Sequence, residues 1–354
     1  MVNNMGNGEE LSSLKRIAIL RALGGLGDFL CIVPALRSLR SSMPWAEIVL
    51  IGLPQTKDLI NRFGHYLDDV LEFPGYPGLP EQVPQIQHIP EFFSKVQSQH
   101  FDLAIQMHGS GLLTNSLTVL LGARLNAGFF PPGQYCPDPV HFLPYLSHES
   151  EVKRYLRLLE YLGIPIQGEE LEFPLHESDM HALSAIKEKY ELHPGEYVCI
   201  HPGASVADRR WQPEGFAVVA DHLAKQGLRV VLTGSKRELL LTQATANAMQ
   251  FESFNLAGCT DLGAMAALLK NARLLVCNDT GVSHLADALQ VPSVVIFTGS
   301  DVNRWAPLNR ALHRIVWNEI GATPTDVIDQ VEALLRQPNS FKSRMTSMHL
   351  AEAG

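Results

Sequence analysis

The stretch LLVCNDTGVSHLADALQVPSVVIF, Leu274–Phe297, holds the fold in miniature. Leu274–Asn278 is an apolar run of strand length, the segment from Gly281 carries apolar residues at helical spacing, and Ser293–Phe297 is a second apolar run. A strand, a helix and another strand form a βαβ unit, which sets the two strands parallel. The alternation continues upstream, with strands expected at Tyr197–His201, Leu228–Thr233 and Asn255–Ala257 and helices at Pro213–Gln226, Lys236–Met249 and Asp261–Ala272. The first half repeats it. Strands are expected at Arg16–Leu20, Glu47–Gly52, Asp69–Phe73 and Asp102–His108, and helices at Asp28–Ser42, near Lys57–Phe63, up to Leu121 and at Glu149–Leu162. Pro74–Pro90 and Phe129–His148, the latter with five prolines, read as long surface loops.

This pattern predicts the α/β class with two domains. Residues 1–14 are expected to be a flexible N-terminus, 15–170 one Rossmann-like domain, 178–323 a second, and 324–354 a C-terminal helix near Thr325–Gln337 with a polar tail. Such domains are expected to face each other across a cleft, with ligands at the carboxyl ends of the strands.

Composition narrows the function. The 354 residues are 46% hydrophobic and 18% charged, enough apolar surface for a substantial core. The net charge of −9 argues against general nucleic-acid binding, which rests on basic residues, though a local basic pocket stays open. Five scattered cysteines without a CxxC pair argue against a zinc site and a disulfide framework, and for reduced thiols in a cytoplasmic protein. The N-terminus lacks a secretory pattern, and no apolar run is long enough to span a bilayer.

Chemistry concentrates at strand–turn–helix junctions. RALGGLGD, Arg21–Asp28, lacks the GxGxxG spacing and so disfavours an NAD-dependent enzyme. Its Asp28 reads either as a helix N-cap or as a general base. HPGASVADRRW places His201, Gly203 and Ser205 at a turn beside Arg209 and Arg210, two cations suited to a diphosphate unless both are simply solvated. In TGSKRE, Gly234 eases the turn, and Glu238 either accepts ribose hydroxyls or favours the helix dipole. In NDTGVSH, Asp279, Thr280 and Gly281 lie at a helix start, where backbone N–H groups bind phosphate, and His284 lies one turn further in.

The segments GLGD, HPGASVADRRW, TGSKRE, LAGCTDLGAMAALLKNARLLVCNDTGVSHLA and VPSVVIF together resemble glycosyltransferase family 9, the heptosyltransferases of lipopolysaccharide core assembly, over about Lys15 to Leu308. The resemblance implies a GT-B fold: two facing Rossmann-like domains with parallel sheets and a cleft between them. It implies a metal-independent, cofactor-free, inverting transfer, commonly from an ADP-linked heptose, to a glycan or glycolipid acceptor. It also implies a cytoplasmic enzyme with peripheral contact at the inner membrane. By position Asp28 matches the family's base, and Arg209 stands where a lysine usually lies near the donor phosphates. Glu238 matches the ribose-holding acid, Asp279 the residue facing the donor sugar, and Thr280, Gly281 and His284 the phosphate end; Gly27, Ser205 and Gly234 complete the expected donor-binding set. Cys31 stands where the family often has histidine. A competing reading is a non-catalytic nucleotide-sugar binding protein. Others are a family member using another nucleotide sugar or a small natural-product acceptor. The presence of both Asp28 and Asp279 favours chemistry.

Overall fold

The computed structural model describes residues 13–317 and 321–337. The expected N-terminal segment, up to residue 12, and the expected tail, from residue 338, lie outside the described residues. The chain divides into two compact units, one ending at Glu170 and the other beginning at Leu171.

The first unit carries β1 (Arg16–Leu20), β2 (Glu47–Gly52), β3 (Asp69–Glu72), β4 (Leu103–Gln106), β5 (Leu125–Phe130) and β6 (Phe142–Pro144). They form one parallel sheet in the order β3-β2-β1-β4-β5-β6, with Ile17 opposite Ile48 on one side and Leu103 on the other. Side chains alternate between faces of a strand. Ala18, Leu20, Val49, Ile51 and Ala104 therefore share one face, where they form a core with Phe92, Val96 and Leu117. Ile17, Ile19, Ile48, Leu50, Leu103 and Ile105 take the opposite face and are equally buried. A parallel sheet covered on both faces needs such near-continuous apolar strands.

The second unit carries β7 (Tyr197–His201), β8 (Arg229–Leu232), β9 (Phe254–Asn255), β10 (Leu275–Asn278), β11 (Ser293–Ile296) and β12 (His313–Val316). Its parallel order is β12-β11-β10-β7-β8-β9, the same topology as the first sheet. Val198, Ile200, Val230, Leu232, Val276 and Ile296 pack against Phe216, Val219 and Leu223 of helix Pro213–Lys225 and Val327, Val331 and Leu334 of helix Pro324–Leu335. In each sheet the direction of winding reverses between the unit's first and fourth strands: β1 and β4, then β7 and β10. Those are the switch points where loops diverge and a crevice opens at the carboxyl ends.

The expected alternation appears, but strands Leu125–Phe130 and His313–Val316 were not anticipated, and there are local differences. The single helix expected from Asp28 is two, Leu26–Leu30 and Val33–Ser42, because Pro34 suits only the first turn of a helix and the chain restarts there. Helix Ile89–Gln97 begins inside the expected Pro74–Pro90 loop, with Pro90 likewise in its first turn. The expected Phe129–His148 loop contains β6, a three-residue edge strand whose Pro144 lies at its end, where a missing N–H is tolerated. Helix Glu177–Tyr190 was not anticipated; its buried residues are Asp179 and Leu183, too few to produce a helical stripe. It packs against helix Leu262–Asn271.

Gly215, in the first turn of helix Pro213–Lys225, lies against Trp211, and a Cβ there would come within 2.5 Å of the indole Cζ2. Alanine ordinarily stabilises a helix by about 1 kcal/mol relative to glycine. Here overpacking reverses the sign: Gly215→Ala should destabilise by about 1–3 kcal/mol in urea denaturation. A rise in stability would show that Trp211 moves aside at no cost.

Candidate active site

In the second unit, Asn278 ends β10 and is fully buried. Its Nδ2 donates to the carbonyl of Pro202 at 2.8 Å, and its Oδ1 accepts from the Trp211 N–H at 2.9 Å. One amide thus binds both ends of the loop that leaves β7 to the end of β10, across the switch point. Sequence reading passed over it, since an asparagine before Asp-Thr-Gly looks like ordinary turn chemistry.

That clasp brings Arg209 to Asp279. Arg209 Nη1 lies 3.6 Å from Asp279 Oδ2, and its guanidinium carbon is 5.9 Å from the Trp305 ring. Asp279 is 2% exposed, and its Oδ2 has no hydrogen-bond partner. Arg210 instead donates to the carbonyl of Ala204 at 2.8 Å and is exposed. Of the two cations, Arg209 is the one joined to the aspartate. Thr280, extended at φ −155°, precedes helix Gly281–Ala288. The first N–H groups of a helix lack intrahelical acceptors. The Asp279 N–H bonds the Ile296 carbonyl and the Ser283 N–H that of Thr280, so Thr280, Gly281 and Val282 supply the donors of this edge. His284, buried one turn in, meets Trp305 edge-on with centroids 6.1 Å apart. Trp305, which Arg304 also overlies at 4.7 Å, gathers these groups. Its segment was not singled out in the sequence, although Thr298–Ser300 repeats the TGS of Thr233–Ser235 after a strand and so carried a signal. Thr298 ties that segment to the β7 loop by donating to the Asp208 carbonyl at 2.7 Å.

Glu238 follows β8. Its Oε2 accepts the Ser235 N–H at 2.7 Å in a capping box, so the helix-start role is real. Its other oxygen lies 3.9 Å from His201 Nε2 and over Gly203, where a Cβ would approach it to 2.0 Å. Gly234 is similarly close, its Cβ position 3.3 Å from that of Glu238. The two glycines leave room for the carboxylate rather than for unusual backbone angles. Burial holds the His201 imidazole below its ordinary range, against the opposing pull of Glu238. Ser205 is exposed on the same loop. Arg209, Glu238, Asp279, Thr280, Gly281 and His284 therefore belong to neighbouring loops at the carboxyl edge of one sheet.

In the first unit, Asp28 is not an N-cap. The helix begins at Leu26, Gly25 precedes it and buried Gly27 lies within it, so Asp28 is the third helical residue. Its half-buried carboxylate lies above Gly25, where a Cβ would meet Oδ2 at 2.3 Å, and 3.7 Å from the Arg21 guanidinium. Cys31 is 1% exposed, a core position. His108, two residues past the end of β4, accepts the Ala22 N–H on Nδ1 at 3.1 Å and turns Nε2 toward Glu81 at 3.2 Å. Burial alone would raise Glu81, but its bond to His108 holds it below the usual range. A histidine closing a buried strand just before Gly109, at φ +64°, was the available signal for this pair.

Residues 89–335 match the family described as glycosyltransferase family 9 (heptosyltransferase). The chain belongs to glycosyltransferase family 9. It is therefore a glycosyltransferase, and it shares the GT-B fold with solved members. A family 9 glycosyl transferase from Veillonella parvula superposes with a TM-score of 0.74 at 21% identity, covering 91% of this chain and 97% of that one. An ADP-heptose lipopolysaccharide heptosyltransferase II from E. coli gives 0.70 at 20% identity, covering 92% and 99%. In sequence, this family 9 chain is 24% identical over 296 residues to lipopolysaccharide heptosyltransferase 3 of Escherichia coli K12, 79% of this chain and 82% of that protein. It is 23% identical over 255 residues to a lipopolysaccharide core heptosyltransferase of Haemophilus influenzae, 66% and 70% respectively. Among the described residues no helix is long and apolar enough to cross a membrane, and no three His, Cys, Asp or Glu side chains are grouped to hold a metal ion.

Replacing Asn278 with leucine keeps the volume but strands the Trp211 N–H and the Pro202 carbonyl. Each unsatisfied buried group costs about 1–3 kcal/mol, so Asn278→Leu should destabilise by roughly 2–5 kcal/mol in urea denaturation. An unchanged midpoint would show that the loop holds itself.

Proposed function

We propose that this family 9 enzyme transfers a heptose from an ADP-linked donor to a hydroxyl of a lipopolysaccharide core sugar, inverting the anomeric centre without a metal. The relatives named for lipopolysaccharide and for ADP-heptose support the substrate class. The observation that carries the reading is the buried Asp279 with an oxygen lacking a donor, beside Arg209 and a helix start at the switch point. A sugar hydroxyl supplies the missing donor, while the cation and the N–H groups of Thr280 and Gly281 take a diphosphate.

In this mechanism the acceptor oxygen forms its bond to the anomeric carbon as the bond from that carbon to the diphosphate oxygen breaks. Asp28 takes the hydroxyl proton. Arg209 and the helix start receive the charge that develops on the departing ADP, electrostatic help that is set in place before reaction. Glu238 accepts the ribose hydroxyls, its carboxylate lying in the room that Gly203 leaves. His284 and Ser205 complete the donor surroundings in the second unit. The enzyme works in the cytoplasm, with peripheral contact at the inner membrane where a glycolipid acceptor resides.

The test is a panel of nucleotide sugars, ADP-heptose included, incubated with lipopolysaccharide core acceptors in EDTA and followed by mass spectrometry. ADP release with a heptose-extended acceptor is expected; loss of turnover in EDTA that Mg²⁺ or Mn²⁺ restores, or transfer only from another nucleotide sugar, would contradict the proposal. Asp28→Asn should reduce turnover by roughly 10²–10⁴, the usual contribution of general base catalysis. Its melting temperature should barely move, because the short bonds from Arg21 go to the Asp28 carbonyl, which the substitution leaves in place. An Asp28→Asn protein that keeps most of its turnover would remove Asp28 from the mechanism.

A further inference from the structure

We propose that Arg21 is the positioning residue for Asp28, and that it acts by locking the loop after β1 to the loop after β4. The proposal rests on the reading of Asp28 as the base. Arg21 directly follows β1 and is 3% exposed. Its Nε donates to the Asp28 carbonyl at 2.9 Å, and Nη2 donates to the same oxygen. Nη1 donates to the Met107 carbonyl and to the Tyr155 hydroxyl. The Asp28 carboxylate lies 3.7 Å from Nη2. The guanidinium also lies 4.9 Å from the centre of the Tyr155 ring.

The anchor behind Arg21 is itself fixed. Tyr155 is fully buried on helix Glu151–Tyr161, and its hydroxyl donates to Glu151 Oε1 at 3.4 Å. Glu151 in turn pairs with the fully buried Arg154. A buried cation is tolerated only when its donors are used. Arg21 meets that condition by spending its fork on three separate segments: the Asp28 turn, the end of β4, and the helix. The outcome is that the backbone of Asp28 is held on two N–H groups while its carboxylate stays half exposed. That leaves the side chain available to a substrate hydroxyl but its origin immobile. Lysine cannot reproduce this, because an ammonium has no planar fork to span these acceptors.

The expected kinetic signature follows from placement. Loosening a base by about 1 Å costs on the order of 10²-fold in rate, without touching donor binding in the second unit. Arg21→Lys should therefore lower kcat by about 10- to 100-fold with ADP-heptose and lipopolysaccharide core acceptor, and leave the ADP dissociation constant unchanged. Tyr155→Phe, which removes one anchor and folds more readily, should lower kcat less.

The deciding experiment is a double-mutant cycle of Arg21→Lys, and of Tyr155→Phe, with Asp28→Asn, combined with amide hydrogen exchange over residues 22–31. If Arg21 acts through Asp28, each change should cost rate in the parent and almost nothing further in the Asp28→Asn background. Exchange over 22–31 should rise in both single variants while residues 47–52 stay protected. Equal losses in both backgrounds would overturn the proposal while leaving Asp28 as base. Full turnover in Asp28→Asn alone would instead overturn the base reading, and with it this one. Unchanged exchange over 22–31 would overturn the positioning role without reference to turnover.

Discussion

A parallel sheet that winds outward in both directions from its first strand leaves a seam between strands one and four. The loops on either side of that seam run in opposite directions and do not support each other. Each unit of this protein closes the seam with a buried polar side chain. In the second unit Asn278, on the fourth strand, holds the carbonyl of Pro202 and the N–H of Trp211 beyond the first. In the first unit Arg21, just beyond the first strand, holds the carbonyl of Met107 beyond the fourth. His108, two residues beyond the fourth strand, answers by accepting the Ala22 N–H. The chemical groups that distinguish the protein are attached to these clasps: Arg209 and Asp279 on one, Asp28 on the other.

Much of this was legible in the sequence. The strand at Arg16–Leu20 and the strand at Tyr197–His201 were readable to the residue, because both are short, largely apolar runs buried on two faces. The loop residues Asp279, Thr280, Gly281, Arg209 and Glu238 were found because helix starts and paired cations leave local marks. The clasps were not. Asn278 meets a partner 76 residues away, and Arg21 one 134 residues away in Tyr155. No local pattern encodes such distances. Asp28 shows the opposite error. Its short-range signal suggested a cap, but the helix starts two residues earlier, at Leu26, and leaves its carboxylate for Arg21 and for solvent.

Two positions where the resemblance implies a different residue have a definite environment. Arg209 presents a planar group toward both Asp279 and the indole of Trp305. A flexible ammonium would make a point contact there, whereas a planar guanidinium can address both the carboxylate and a phosphate oxygen. Cys31, in place of a histidine, is buried beside the break between two short helices, so it contributes packing. The chain's acidity matters in the same way. A net charge of −9 disfavours the approach of a polyanion over the surface at large, so the proposed diphosphate contact depends on local cations such as Arg209.

In the proposed reaction the second unit holds the donor diphosphate through Arg209 and the helix start at Thr280. Calorimetric titration of ADP, in EDTA, into the parent protein and into Arg209→Ala and Arg210→Ala tests it most directly. Arg209→Ala should weaken ADP binding by about 10- to 100-fold, the range for a hydrogen bond to a charged group. Arg210→Ala, whose guanidinium is engaged with the Ala204 carbonyl, should stay within about threefold of the parent, under 1 kcal/mol. ADP bound as tightly by Arg209→Ala as by the parent would contradict the claim.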